Sequence, residues 1–329
     1  MKKIAVIGAG SWGTALASLL GEKGYNVSLW VYEADLIDEI IKKRVNSKYL
    51  PNVILSENII PSAGLKDVLK DAELILSVIP TQHTRSVFKD VGSFIPEGAY
   101  LVTASKGIEN GTLQTVSQVL EELTGRKAAA LSGPSFAKEV TIMKPTAVTI
   151  ASESVGKGQV LQKVFNTDHF RVYTNDDVLG VELGGALKNV MAIASGISDG
   201  LGLGSSARAA LITRGLAEII RLGVAMGAKE KTFSGLSGIG DLVLTCTGSL
   251  SRNYTVGTRL GRGEKLKDIV DSMSMVAEGI ATSESAYELA GKYKVDMPVV
   301  EQVYKTINED KPPKDVVRDL MSRSLKSEN

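Results

Sequence analysis

The chain has few of the residues that form disulfides and metal sites. Its 329 residues include one cysteine, Cys246, and two histidines, His83 and His169. A single cysteine excludes an internal disulfide and fits a reducing compartment, so we expect a cytoplasmic protein. No histidine and cysteine have the spacing of metal ligands, so the sequence predicts no metal site. We interpret Cys246 as a small buried residue rather than as a nucleophile.

The chain also lacks an excess of either charge. Its 38 basic residues balance 37 acidic residues, and the formal net charge is +1. This balance, together with the lack of any basic block, argues against a nucleic-acid partner. No apolar run approaches the ~18 residues of a membrane span, so we expect no stable membrane insertion. Glycines interrupt the apolar N-terminal segment, which is better explained as a strand and turn than as a signal peptide.

The glycines near the N-terminus form the most informative pattern. Gly8, Gly10 and Gly13 follow the apolar run 4–7 and open a helix of small residues. A second apolar run ends at Glu33, 20 residues after Gly13. This order of strand, turn, helix, strand and acid is typical of a dinucleotide-binding unit. The N–H groups at the start of the helix face a pyrophosphate, and the acid accepts hydrogen bonds from the adenosine ribose.

Apolar runs and helical patterns alternate through the first half of the chain. The runs lie at 74–79, 100–104, 128–131, 147–150 and 170–173. Their alternation with helices predicts a mostly parallel sheet with helices on both faces. After about residue 178, long helical patterns replace the strands. We therefore predict an α/β protein with a Rossmann-like dinucleotide-binding domain over residues 1–180 and an all-helical substrate and catalytic domain over residues 181–329.

Lys188 is unusual because its surroundings are apolar. It is the only charged residue from Leu183 to Ser198, and no residue three or four positions away on its helix can pair with it. If the lysine is buried, desolvation lowers its pKa toward neutrality, as a general acid or base requires. A lysine that reaches solvent from a helix end explains the pattern equally well.

Four other short motifs could line the ligand crevice. They are Lys106, Gly133–Ala137, Gly238–Asp241 and Ser251–Asn253. Arg252 offers a forked cation beside neutral donors, a set that suits a phosphate. Taken singly, each motif is better explained as a solvated lysine, a turn or a surface arginine.

In this order, the segments resemble the NAD(P)-dependent glycerol-3-phosphate dehydrogenases. The resemblance runs from about Lys3 to about Tyr304. It rests on GAGSWG at 8–13, SKG at 105–107, GPSFAKE at 133–139, GALKNV at 185–190, GIGDL at 238–242, SRN at 251–253 and VAEG at 276–279. It implies reversible NAD(P)H-dependent reduction of dihydroxyacetone phosphate to sn-glycerol 3-phosphate, which feeds glycerophospholipid synthesis. It also implies a homodimer.

The resemblance assigns roles to individual residues. It makes Lys188 the catalytic residue, which gives a proton to the developing alkoxide and takes it back in the reverse direction. The implied substrate-binding residues are Lys106, Gly133, Ser135, Lys188, Asp241, Thr245, Ser251, Arg252 and Asn253. The implied cofactor-binding residues are Gly8, Gly10, Ser11, Trp12, Gly13, Glu33, Lys106, Ala137, Arg252, Val276 and Glu278.

The segment after the second predicted strand departs from many bacterial members. Those members carry basic residues where a 2′-phosphate would lie, whereas this chain has Tyr32 and Glu33. A carboxylate repels a phosphate and suits a free hydroxyl, so we predict NAD(H) over NADP(H). Lys42, Lys43 and Arg44 are close enough in sequence to leave the choice open.

Two other functions fit parts of the pattern. A β-hydroxyacid or 6-phosphogluconate-type dehydrogenase also joins a dinucleotide domain to a helical domain and suits the Lys188-Asn189 pair. The later Gly-Asp and Ser-Arg-Asn motifs favour the phosphoglycerol substrate instead. A dinucleotide-sensing regulatory module would not need Lys188, Asp241 and Arg252 together. Such modules usually add a nucleic-acid-binding segment, and the sequence shows none.

Overall fold

The computed structural model describes residues 1–325 and residue 327, and the eight strands in this part of the chain form one sheet. The strand order is β3-β2-β1-β4-β5-β6-β7-β8. All neighbouring strands are parallel except β6 and β7. The first six positions follow the 3-2-1-4-5-6 strand order of a Rossmann sheet. The strands are β1 Lys3–Ile7, β2 Asn26–Trp30, β3 Ile59–Ser62, β4 Leu74–Ser77, β5 Tyr100–Thr103, β6 Ala129–Ser132, β7 Thr146–Ala151 and β8 Phe170–Asn175.

Seven α-helices accompany the sheet, and eight follow it within the described residues. The first group is α1 Ser11–Glu22, α2 Ala34–Lys43, α3 Leu65–Leu69, α4 Thr84–Phe88, α5 Val116–Thr124, α6 Ala137–Thr141 and α7 Val155–Phe165. The second group is α8 Val178–Gly200, α9 Gly204–Ala225, α10 Asp241–Thr247, α11 Arg252–Gly261, α12 Leu266–Asp271, α13 Glu278–Tyr293, α14 Pro298–Asn308 and α15 Pro313–Met321. Short 3-10 turns span Thr81–His83, Gly92–Phe94 and Glu230–Ser234, and a π-helical turn spans Leu236–Gly240.

The predicted fold class is confirmed, since a mostly parallel sheet is followed by helices alone through the described residues. The predicted boundary between residues 180 and 181 falls in the first turn of α8, three residues after its start. The two domain ranges stay predictions, and residues 326, 328 and 329 of the second range lie outside the described residues.

The sheet is buried on both faces, which explains its consecutive apolar residues. In β1, Ile4 and Val6 pack into one hydrophobic cluster, whereas Ala5 and Ile7 pack into another. Successive side chains of a strand point to opposite faces, so both faces of this strand are covered. A separate cluster forms around α8 in the helical part.

The central helix of the second half is α8. It packs against α9, α10, α11 and α13. The approach to α11 is close, because a Cβ atom at Gly257 would lie 2.1 Å from the carbonyl oxygen of Ile193. The expectation that no apolar segment reaches membrane-spanning length is wrong for this helix. By length and composition α8 could cross a membrane, but 83% of its most apolar window is buried inside the protein.

The reversal between β6 and β7 determines where α8 begins. The carboxyl ends of β1 to β6 lie at one edge of the sheet, and those of β7 and β8 lie at the opposite edge. The helix starts just after β8, where Asp177 accepts a hydrogen bond from the N–H of Gly180 at 2.9 Å. The other carboxylate oxygen of Asp177 accepts from Thr232 Oγ1 at 2.6 Å. From this anchored start α8 runs back across β6 and β7.

Candidate active site

The glycine turn after β1 has the geometry expected of a dinucleotide-binding turn. Gly8 has a φ of +117°, which side chains rarely tolerate. A Cβ atom at Gly13 would lie 1.9 Å from the carbonyl oxygen of Gly8, so only glycine lets the helix come this close. A Cβ atom at Gly10 would meet nothing within 4 Å. The backbone at Gly10, immediately before α1, is therefore open to a ligand at the carboxyl end of β1.

Two further observations fit this edge of the sheet to a dinucleotide. The Nε1 atom of Trp12 is buried and has no hydrogen-bond partner among the described residues. The helix α1 has no acidic residue in its first turn that would repel a phosphate. Backbone donors, open space and an unsatisfied buried donor together suit a ligand rich in oxygen acceptors.

Glu33 lies three residues after β2, and the structure gives it two partners that the sequence did not suggest. Its Oε1 atom accepts hydrogen bonds from Lys48 Nζ at 3.0 Å and from the hydroxyl of Tyr49. Partial burial raises the pKa of Glu33, but the hydrogen bonds from Tyr49 and Lys48 outweigh it and hold this pKa below its ordinary value. Glu33 is therefore an ionised acceptor where the ribose site is predicted.

Two of the three basic residues that left the choice of nucleotide open, Arg44 and Lys42, have partners other than Glu33. Arg44 donates to backbone carbonyl oxygens, at 3.0 Å in the case of Ile59. Lys42 pairs with Asp38 along the exposed face of α2 at 3.4 Å. Lys43 is exposed at the end of the same helix. The cation that does reach Glu33, Lys48, was missed because nothing in its local pattern marks it.

A buried charge cluster joins the sheet to the helical half. Asp241 is fully buried at the start of α10, and both of its carboxylate oxygens accept hydrogen bonds from lysines. Lys188 Nζ of α8 donates to Oδ1, and Lys106 Nζ, from the loop after β5, donates to Oδ2 at 2.6 Å. Two ammonium groups and one carboxylate leave the cluster one positive charge in excess. This favours a ligand that carries or develops negative charge.

Lys188 is the more deeply buried of the two lysines in this cluster. It is 6% exposed, and its Nζ also donates to Thr245 Oγ1 at 2.8 Å. Burial lowers the pKa of Lys188 to about 7, against the attraction of Asp241, which raises it, and with the repulsion of Lys106, which lowers it further. The sequence left burial and exposure equally open, and the structure decides for burial. Its ion partner comes from another helix.

Two asparagines tie this cluster to α11 and α13. Asn189, next to the buried lysine on α8, donates to the carbonyl oxygen of Lys106 at 3.4 Å. Asn253 donates to Asn189 Oδ1 at 2.9 Å and accepts from the N–H of Gly279 at 2.9 Å. The predictions included Asn253 and missed Asn189. The sequence signal for Asn189 was its place beside Lys188 in the Lys-Asn pair.

Another predicted residue of the helical half, Glu278, contacts the 3-10 turn that follows β4. Arg252 donates to the carbonyl oxygen of Val276 at 2.9 Å and is open to solvent on one side. Crowding by protein on its other side lowers the pKa of Arg252, while the carboxylate of Glu278 raises it. Glu278 accepts from the N–H of Thr81 at 3.3 Å, and burial raises the pKa of Glu278 to about 7. Both halves thus contribute to one crevice.

Four predicted residues, Gly133, Ser135, Ala137 and Ser251, have backbone contacts or lie at a helix start. The carbonyl oxygen of Gly133 accepts from Lys106 at 3.0 Å and from Ser135 Oγ at 3.0 Å. Ala137 begins α6. The Oγ atom of Ser251 accepts from the N–H of Tyr254 at 3.2 Å and so caps α11.

Cys246 is buried as predicted, and burial raises the pKa of its thiol to about 12. The described residues contain no group of three or more potential metal ligands.

Comparisons with known proteins agree with this arrangement along nearly the whole chain. A family model described as NAD-dependent glycerol-3-phosphate dehydrogenase N-terminus matches residues 3–157, and the corresponding C-terminus model matches residues 177–318. The chain belongs to this family. The match confirms the family that the motifs predicted. It also confirms the prediction that the chain is an NAD(P)-dependent oxidoreductase. It does not favour the two alternative functions.

Individual relatives support the family over their full length. Glycerol-3-phosphate dehydrogenase [NAD(P)+] of Citrifermentans bemidjiense is 54% identical in an alignment of 331 residues that covers 99% of each chain. The protein of the same name from Syntrophotalea carbinolica is 53% identical over 329 residues, again 99% of each chain. The crystal structure of glycerol-3-phosphate dehydrogenase from Coxiella burnetii superposes with a TM-score of 0.95. It is 42% identical and covers 98% of this chain and 99% of its own. The roles of single site residues stay predictions.

Proposed function

We propose that this chain catalyses the reversible reduction of dihydroxyacetone phosphate to sn-glycerol 3-phosphate and that Lys188 carries the proton. The observation behind this role is the buried ammonium of Lys188 between Asp241 and Thr245, with its pKa lowered to about 7. A general acid is most effective when its pKa lies near the working pH. No other lysine in the cluster is buried to this degree.

Lys188 gives its proton to the substrate carbonyl oxygen as that oxygen gains negative charge. Asp241 orients the ammonium, and Lys106 adds a second positive charge beside the same carboxylate. Preformed charges in a water-poor site stabilise a developing alkoxide more than they would in water. In the reverse direction the neutral amine of Lys188 takes the proton from the hydroxyl group.

Arg252 is the proposed anchor for the phosphate of the substrate. Its guanidinium is exposed and donates to the carbonyl oxygen of Val276, and a forked donor pairs well with phosphate oxygens. Asn253, held by Asn189 and Gly279, fixes the first turn of α11 behind it. From this contact we expect the phosphorylated ketone to be preferred over free dihydroxyacetone.

The residues proposed to hold the cofactor line the carboxyl edge of β1 to β6. They are Gly8, Gly10, Ser11, Trp12, Gly13, Glu33, Lys106, Ala137, Arg252, Val276 and Glu278. The bound nicotinamide supplies the hydride. We further propose that the protein is cytoplasmic and forms a homodimer. Light scattering of the purified protein would distinguish a dimer from a monomer.

The decisive experiment compares two ketones and two nucleotides in one spectrophotometric assay. We expect rapid oxidation of NADH or NADPH with dihydroxyacetone phosphate and almost none with free dihydroxyacetone. Equal kcat/KM for the two ketones would contradict the phosphate anchor. No oxidation of either nucleotide with dihydroxyacetone phosphate would contradict the proposed reaction.

A further inference from the structure

The loop between α2 and β3 is fastened to the glycine turn through one buried side chain. Asn46 is 0% exposed, and its Nδ2 atom donates to the carbonyl oxygen of Ala9 at 2.8 Å and to Thr14 Oγ1 at 2.9 Å. Its Oδ1 atom accepts from the N–H of Tyr49 at 3.2 Å. These bonds fix residues 46–50 against the turn that is proposed to hold the pyrophosphate.

This fixed loop places two side chains on Glu33. The Lys48 ammonium lies 3.0 Å from Glu33 Oε1 and 5.0 Å from the ring centre of Tyr49. The hydroxyl of Tyr49 also donates to Oε1, so neither contact uses the Oε2 atom. Lys48 and Glu33 therefore form a pair of zero net charge at the end of β2, with one carboxylate oxygen left for a ribose hydroxyl.

We propose that Lys48 is the cofactor-selectivity residue that lets this chain accept a 2′-phosphate although Glu33 occupies the ribose site. With NAD(H), Lys48 stays on Glu33 and the ribose 2′-hydroxyl donates to the carboxylate. With NADP(H), the lysine side chain turns from Glu33 to the 2′-phosphate and neutralises part of its charge.

The side chain of Lys48 is suited to that exchange. It is 42% exposed, so its long flexible stem can turn without disturbing the core. Lys48 is the better candidate than Arg44 and Lys42, because Arg44 is bound to backbone carbonyl oxygens and Lys42 pairs with Asp38 on the exposed face of α2. The proposal rests on the proposed nucleotide site and adds Lys48 to the prediction that Glu33 favours NAD(H).

Binding of two fragments tests this without the ketone. The fragments 5′-AMP and 2′,5′-ADP differ only in the 2′-phosphate, and calorimetry measures both with the purified protein. In Lys48→Gln we expect the Kd of 2′,5′-ADP to rise about 10- to 100-fold, as for a lost charge-assisted contact. The Kd of 5′-AMP should change less than about twofold. The matched control Lys42→Gln, which removes the same charge from α2, should leave both constants within about twofold.

A second variant separates a contact with the phosphate from a role in positioning Glu33. Glu33→Gln should tighten 2′,5′-ADP in the presence of Lys48 and lose that gain in the double variant with Lys48→Gln. If Lys48→Gln weakens both fragments equally, or leaves 2′,5′-ADP unchanged, the proposal is wrong. Since no dihydroxyacetone phosphate is present, these outcomes are independent of whether the proposed reaction holds. In turnover, the ratio of kcat/KM for NADPH to that for NADH should fall in Lys48→Gln.

Discussion

Lys188 and Asp241 form a buried ion pair between two helices, although 53 residues separate them along the chain. Asp241 is fully buried and Lys188 nearly so, which makes the pair costly to desolvate. The Lys106 ammonium on the second oxygen and the Thr245 hydroxyl on Lys188 supply the extra hydrogen bonds that such a pair needs. Because so costly a pair suggests that its charge has a function, the charge of Lys188 should matter for the rate and for its dependence on pH.

Replacement of Lys188 should remove the proton donor. We expect Lys188→Ala to lower kcat by at least ~10²-fold, the usual effect of losing general acid–base catalysis. Lys188→Arg should not restore the rate, because guanidinium does not release a proton near neutral pH. Turnover with dihydroxyacetone phosphate measures the rate, and NADH fluorescence titration checks that nucleotide binding is kept. Wild-type turnover in the alanine variant would show that Lys188 has only a structural role.

The rate should depend on pH with opposite sign in the two directions. The pKa of Lys188 is about 7 in the folded protein, so the ammonium is lost as pH rises through about 7. Ketone reduction needs the ammonium and should slow above this pH, whereas oxidation of glycerol 3-phosphate needs the amine and should speed up. Asp241 raises this pKa, so Asp241→Asn should shift the pH dependence of both reaction rates to lower pH. An unchanged pH dependence in Asp241→Asn would mean that another group, such as the substrate phosphate, titrates.

Arg252→Ala should mainly weaken capture of the substrate. We expect a loss of about 2 kcal/mol in kcat/KM, or roughly 30-fold, at the low end for a charge pair because Arg252 is partly solvated. Arg259→Ala is the matched control, since Arg259 lies on the same helix and pairs with Glu264 at 2.6 Å. It should stay near wild type. An equal loss in both variants would point to damage of α11 rather than to a phosphate contact.

Glu218 should make stability depend on pH. It is 1% exposed and accepts hydrogen bonds from the N–H groups of Val299 at 2.8 Å and Val300 at 3.2 Å. Burial nevertheless raises the pKa of Glu218 from 4.5 to about 7. The folded protein thus binds this proton more tightly than the unfolded chain does. The stabilisation is complete below about 4.5 and is lost as pH rises through about 7, by about 3 kcal/mol.

Glu218→Gln tests that dependence, because it removes the titrating group and keeps an acceptor oxygen. Thermal unfolding at pH 5 and pH 8 should show a smaller change in Tm for the variant than for the wild type. Glu301→Gln is the control, since that carboxylate lies on α14 and pairs with Lys305. The same pH dependence in wild type and Glu218→Gln would assign it to other groups.

The sequence predicts best what is local in this protein. The glycine turn and the mostly parallel sheet follow from short patterns of glycine and apolar residues, and the structure matches them. The order of the strands in the sheet and the reversal at β7 were not predicted. The apolar surroundings of Lys188 are also a local pattern, and they indicated burial as one of two possibilities. Contacts between distant segments have no such pattern. Asn46 reaches Ala9 across 37 residues, and Lys48 reaches Glu33 from a polar loop that resembles any other surface loop.

The reversal of the last two strands also limits how the chain can change in length. Because α8 starts at the far edge of the sheet, Lys188 reaches the crevice only after ten residues of helix, about 15 Å. One residue inserted between Val178 and Lys188 would turn the lysine by about 100° and remove it from Asp241. A seven-residue insertion would restore its direction but carry it about 10 Å too far. Natural insertions and deletions should therefore be absent from this half of α8 and collect instead in the connections at the far edge of the sheet.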